Sequence, residues 1–126
     1  MIEVTKEDVD CFLIRMKDSV KMGKFKVDRS KNRQANRDLA FNYLVNDVEI
    51  LLSLEVNDFC KADKNKNVKF PDEVVYVFGK EVLLTPRMHG EPQKVKLYIK
   101  FNEVEDRYFI VISLHEQKYE IRYAFK

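Results

Sequence analysis

The side chains best suited to chemistry lie in the C-terminal half of the chain, in two short runs. VKLYIKF (95–101) carries Tyr98 between Lys96 and Lys100, and FIVISLHE (109–116) ends with His115. An imidazole exchanges protons near neutral pH, a phenol can donate or accept one, and ammonium groups stabilise negative charge. Together these groups could cleave RNA without a metal. A base removes the proton of the 2′-OH, an acid protonates the departing 5′-oxygen, and cations offset the charge of the phosphorane. Lysines and tyrosines also commonly decorate the wet face of a strand, so spacing alone leaves both readings open.

Other chemistries find less support. Neither His89 nor His115 neighbours a Cys or carboxylate at a metal-ligand spacing, so no metal site is expected. The chain has three glycines and lacks G-x-x-x-x-G-K-[ST], G-x-G-x-x-G and G-x-S-x-G. Phosphate-cradling loops and Rossmann chemistry are therefore not expected, and no cofactor is implied. A Cys60/His115 nucleophile pair is formally possible, but a cysteine beside Phe59 in an apolar helix reads as packing.

The elements that position these residues follow from periodicity. Val9, Phe12, Leu13, Met16 and Val20 recur at helical spacing, predicting a helix over 6–22. Thr5 with Asp8 suggests its capping box, and Gly23 its stop. Residues 25–27 are too few to assign, and 28–37 read as a loop or a short exposed helix. VEILLSL (48–54) reads as a buried helix entered through an Asx cap at Asn46–Asp47, with 58–61 as a further helical turn and ADKNKN (62–67) as a solvated loop.

After Pro71 the period changes. EVVYVF (73–78) reads as a strand bounded by Gly79, and 85–93 as a loop containing Pro86, Gly90 and Pro92. Residues 94–101 alternate, with Val95, Leu97, Ile99 and Phe101 on the core face. A turn at 102–106 leads to a paired strand over 108–115. Strict alternation there places Phe109, Val111, Ser113 and His115 on one face. Ile121, Tyr123 and Phe125 suggest a last strand. Helices first and strands afterwards predict an α+β architecture, with N-terminal helices packed on a C-terminal antiparallel sheet.

At 126 residues the chain fits one domain spanning 1–126. With 45% apolar and 35% charged residues it is too apolar for general disorder. Its start, MIEVTKEDVD, lacks a signal peptide's basic and apolar regions, and no run is long enough to span a bilayer. Two cysteines cannot supply a disulfide framework, which points to a cytoplasmic protein with reduced thiols. The net charge of +2 conceals an asymmetry. Residues 15–37 hold nine Lys/Arg against two acids, whereas 38–60 hold five acids and no base. The basic stretch, with Lys24, Lys26, Arg29, Lys31 and Arg33, suits a polyanion such as RNA or an acidic partner, and equally suits a solvated face.

Four blocks in register, ILLSLEVNDFCK (50–61), VVYVFGKEV (74–82), VKLYIKF (95–101) and FIVISLHE (109–116), resemble the MqsR family of bacterial type II toxins. The resemblance implies a RelE-like fold, a ribosome-independent mRNA endoribonuclease, and a cognate antitoxin protein that holds it inactive. The lysine after the family's D-F-aromatic motif falls on Lys61, and its tyrosine in V-Y-[LI]-K falls on Tyr98. Where the best-known members have a lysine after S-F, this chain has His115 after S-L. A glutamine assigned to catalysis in that family aligns near Val77.

Lys61, Tyr98 and His115 are thus the expected catalytic residues, with Lys96 and Lys100 as lesser phosphate contacts and 15–37 holding flanking RNA. The products would be a 2′,3′-cyclic phosphate and a 5′-hydroxyl. The competing class is a non-catalytic RNA-binding or protein-binding regulatory module, which binds without cleaving.

Overall fold

The computed structural model describes residues 1–64 and 73–126. Helix α1 (Lys6–Lys21) starts at a capping box in which the Thr5 hydroxyl accepts from the Asp8 backbone N–H and the Asp8 carboxylate accepts from that of Thr5. It stops where Gly23 adopts a positive φ of 74°. Its apolar stripe, Val9, Phe12, Leu13, Met16 and Val20, is buried.

Strand β1 (Phe25–Val27) follows, then α2 (Gln34–Asn42), β2 (Tyr43–Leu44) and α3 (Asp47–Leu52). The Asn46 side chain caps α3 by accepting from the Glu49 N–H. The helical turn expected over 58–61 is absent. A 3₁₀ turn ends at Asp58, and Phe59–Lys64 form strand β3. Residues two apart in a regular strand share a face, but the register with β4 shifts between Phe59 and Lys61, so Phe59 faces the core while Lys61 emerges on the other side. The loop expected over 62–67 is corrected for 62–64, which belong to β3; residues 65–67 and Pro71 lie outside the described residues.

Strands β4 (Val74–Pro86), β5 (Gln93–Val104) and β6 (Tyr108–Glu116) dominate the sheet. Gly79 does not end β4, because its missing side chain makes room for a crossing segment, and the connection to β5 is correspondingly short. Strand β5 likewise runs three residues into the expected turn, to Val104. Among the described residues the order is β1-β6-β5-β4-β2, with β3 also on β4. β1 lies parallel to β6 and the other pairs are antiparallel. The architecture is α+β, with helices toward the N-terminus and strands toward the C-terminus.

The core lies between α1 and the inner face of the sheet. The Phe12 ring stacks on Tyr76 at 4.1 Å and meets Phe78, Phe101 and Phe109 at 5.5–5.9 Å. Removing such a ring costs about 3–5 kcal/mol, so the helix and three strands share one anchor. The last expected strand is absent. Residues 117–126 form an irregular strap, because their hydrogen bonds go to strand carbonyls at separate points rather than to a continuous ladder.

Candidate functional site

Strand register places the predicted residues. Residues directly opposite one another in an antiparallel ladder share a face. Lys61 pairs with Val77, Val77 with Lys100 and Lys100 with Ser113, which makes one row across β3–β4–β5–β6. The adjacent row is Gly79, Tyr98 and His115. Both rows lie on the face away from α1, since Leu97, Ile99 and Phe101 point into the core.

His115 reaches that face through a correction to the expected alternation. Lys100 pairs with Ser113 but Phe101 pairs with Val111, so Ile112 is an extra residue in β6. Before it Phe109 and Val111 are buried, and after it Leu114 is buried instead. His115 therefore parts from Phe109 and Val111 and stands beside Tyr98. Asn36 of α2 holds the bulge. Its side chain is 1% exposed, donates to the carbonyls of Asp28 (2.7 Å) and Ile112 (2.8 Å), and accepts from the Leu114 N–H (2.9 Å).

The two rings stack, with centroids 5.3 Å apart and planes 12° from parallel. His115 Nδ1 lies 2.7 Å from the Glu116 carbonyl oxygen. A carbonyl can only accept, so this hydrogen bond puts the proton on Nδ1 and leaves Nε2 for exchange. Burial pushes the Tyr98 phenol above its ordinary pKa, opposed by the nearby Lys61 charge. It is held as a neutral donor. Lys61 is raised by its hydrogen bond and ion pair with Asp63, 3.3 Å away, and remains an ammonium.

Lys61, Tyr98 and His115 line one cleft of about 400 Å³. Its outer wall is the strap, which brings Lys118 and Arg122. The strap is tied at both ends. Gln117 donates its backbone N–H to Lys96 and its side-chain amide to the Leu97 carbonyl. The Ala124 N–H donates to Phe59, and Phe125 stacks on the Phe59 ring at 5.7 Å. Between these points it crosses Gly79, where an added Cβ would lie 2.7 Å from Ile121 Cδ1 and 2.8 Å from Tyr123 Oη.

Sequence reasoning missed Lys118 and Arg122 because the alternation of Ile121, Tyr123 and Phe125 suggested a strand. No periodicity of the sequence marks them, because 117–126 is irregular. Cys60 also lines the cleft, from β3 rather than the apolar helix expected, and burial pushes its thiol up. Val77, where the glutamine of the resembling family aligns, is 1% exposed and lies between Lys61 and Lys100 in the first row.

Lys96 is exposed and lies opposite Glu81 of β4, and Lys100 occupies the first row. The basic stretch is elsewhere. Lys24, Lys26 and Lys31 are exposed around β1 and the approach to α2. Arg29 makes a two-pronged pair with Asp47 at 2.8–2.9 Å, and Arg33 pairs with Asp28 at 3.4 Å. The basic and acidic stretches of the sequence thus partly neutralise each other. Among the described residues no three His, Cys, Asp or Glu side chains gather as metal ligands would, and no helix is long and apolar enough to cross a membrane. No family model, curated protein or solved structure matches the chain.

Proposed function

We propose that this protein is a metal-independent endoribonuclease and the toxin of a type II toxin–antitoxin pair, of the MqsR kind and RelE-like in fold. The observation that carries the reading is the stacking of Tyr98 on His115 in a cleft also lined by Lys61. Nε2 of His115 takes the proton of a 2′-OH, and the 2′-oxygen attacks its own adjacent phosphorus. The 5′-oxygen leaves as the Tyr98 phenol, kept protonated by burial, supplies its proton. The products are a 2′,3′-cyclic phosphate and a 5′-hydroxyl.

The Lys61 ammonium stabilises the phosphorane, as a fixed charge does where negative charge develops. Lys118 and Arg122 add positive charge along the strap, and Lys96 and Lys100 are lesser phosphate contacts. Lys24, Lys26, Arg29, Lys31 and Arg33 hold flanking RNA, the two arginines exchanging their carboxylate partners for phosphates. In the cytoplasm such an enzyme is harmful unless restrained, which supplies the reason for a cognate antitoxin protein.

The test is incubation of the purified protein with a defined mRNA in EDTA, with analysis of the product ends. Wild type yields 2′,3′-cyclic phosphate and 5′-hydroxyl ends, and His115→Ala does not. Binding without cleavage would assign the chain to the non-catalytic modules. Growth arrest on induction, relieved by co-expressing the neighbouring small reading frame, tests the toxin half of the reading.

A further inference from the structure

A second cavity of about 220 Å³ shares His115 and Lys118 with the cleft and so adjoins it. Its other polar walls come from Asp38 and Asn42 of α2, Tyr43 of β2, and Glu116 and Gln117. The two spaces differ in chemistry. The cleft sets Lys61, Lys118 and Arg122 against one carboxylate, Glu120, whereas the cavity sets two carboxylates, two amides and a phenol ring against a single lysine. Carboxylates repel phosphate but accept hydrogen bonds from amino groups, and an aromatic side chain offers a surface for stacking. The cavity is smaller than the roughly 300–1,000 Å³ typical of drug-sized ligands, which suits a single planar ring system.

Two of its side chains are already oriented. Gln34 donates to one oxygen of Asp38 at 2.6 Å, leaving acceptor capacity on the carboxylate. The Tyr43 hydroxyl donates to Gln93 Oε1 at 3.3 Å. A nucleotide with its phosphate beside His115 and Lys118 would have its base within reach of the adjoining space.

We propose that this cavity is a nucleobase subsite that selects an amino-bearing base next to the scissile phosphate. Asp38 and Asn42 read its edge, and Tyr43 supports its ring. The proposal rests on the ribonuclease reading for the phosphate's place beside His115. Uracil, which has no exocyclic amino group, is the base the subsite disfavours.

The experiment uses 2′-O-methyl tetranucleotides, which cannot be cleaved, with each of the four bases at each central position. Binding is measured by fluorescence anisotropy with wild type, Asp38→Asn and Asn42→Ala. Both altered side chains are solvent-exposed on α2, and thermal melts check that the variants fold. At one position wild type should prefer amino-bearing bases over uracil by about fivefold or more, in line with base-edge hydrogen bonding, with the preference falling to about twofold or less in each variant. Equal affinity for all four bases, no binding at all, or a preference unchanged in both variants would overturn the subsite. Cleavage of the matching unmodified RNA is scored separately. Base preference without cleavage refutes the ribonuclease reading and leaves the subsite standing, and cleavage without base preference does the reverse.

Discussion

Tyr98 and His115 occupy opposed positions of the β5–β6 ladder, and their rings face one another at 5.3 Å. Two groups capable of proton exchange are thus held side by side on neighbouring strands. Tyr98→Phe keeps the ring and removes only the hydroxyl, and His115→Ala removes the imidazole. Each is expected to slow RNA cleavage by about 10²–10⁴-fold, the usual contribution of positioned acid–base groups. Neither ring belongs to the buried core, so thermal unfolding should be nearly unchanged. A full cleavage rate in Tyr98→Phe would remove the phenol from the chemistry.

Asn36 makes its hydrogen bonds to backbone groups of Asp28, Ile112 and Leu114, and so holds the strand that carries His115. Asn36→Ala leaves two carbonyls and one N–H without their buried partner, at a cost of about 1–3 kcal/mol. Urea unfolding measures that loss. Because the bulge sets the position of His115, cleavage well below the melting temperature should fall further than the unfolded fraction explains. Activity that simply follows the folded fraction would reduce Asn36 to a stabilising residue.

The cations of the cleft should be visible in the salt dependence of RNA binding. Each phosphate neutralised on a single strand contributes about 0.7 to the slope of log affinity against log salt. Lys118→Met and Arg122→Met should each flatten that slope by about this amount. Gly79→Ala pushes on Ile121, Tyr123 and Gln117 without changing any charge, so it should weaken binding by displacing the strap and speed proteolysis of 117–126. A slope indifferent to both Met substitutions, with affinity untouched by Gly79→Ala, would separate the strap from RNA.

Alkaline pH should destabilise the fold. Burial raises the pKa of Cys60, Tyr76 and Tyr98 above their ordinary values, about 8.5 for a thiol and 10 for a phenol. The Lys61 ammonium is raised by Asp63. In each case the folded state holds its proton more tightly than the unfolded chain does. The resulting stabilisation is fully present below the unfolded pKa and is lost as pH rises through the folded value. Chemical denaturation should show a roughly level midpoint from neutrality to about pH 8 and a decline above about pH 9. Tyr98→Phe should lessen that decline, and a midpoint rising with pH above 9 would contradict these assignments.

Much of this was legible from side-chain periodicity. The α1 stripe and the β5 alternation state directly which face meets the core, because burial selects for apolar residues at the element's own period. The cap residues Thr5 and Asn46 announced two helix starts. The site was half legible. Tyr98, Lys96 and Lys100 share a face by simple alternation, but the approach of Lys61 depends on β3, whose residues Phe59–Cys60–Lys61 are too mixed to show a period. Lys118 and Arg122 depend on the tertiary path of the strap, and no local propensity encodes where an irregular segment ties down. The closing of Arg29 on Asp47 across 18 positions was likewise invisible to a count of charge along the chain.

The extra residue in β6 makes the imidazole's exposure a matter of counting. Keep Ile112 but pair it regularly with Lys100, continuing the ladder from Val111 opposite Phe101, and His115 would fall opposite Leu97, which is fully buried, while Leu114, opposite Tyr98, would turn toward water. Two chains could then agree at nearly every letter of this strand, one presenting its histidine beside the tyrosine and the other hiding it. What distinguishes them is whether the bulge held by Asn36 forms, and a relative shorter by one residue at 112 would bring its histidine to the same face without a bulge.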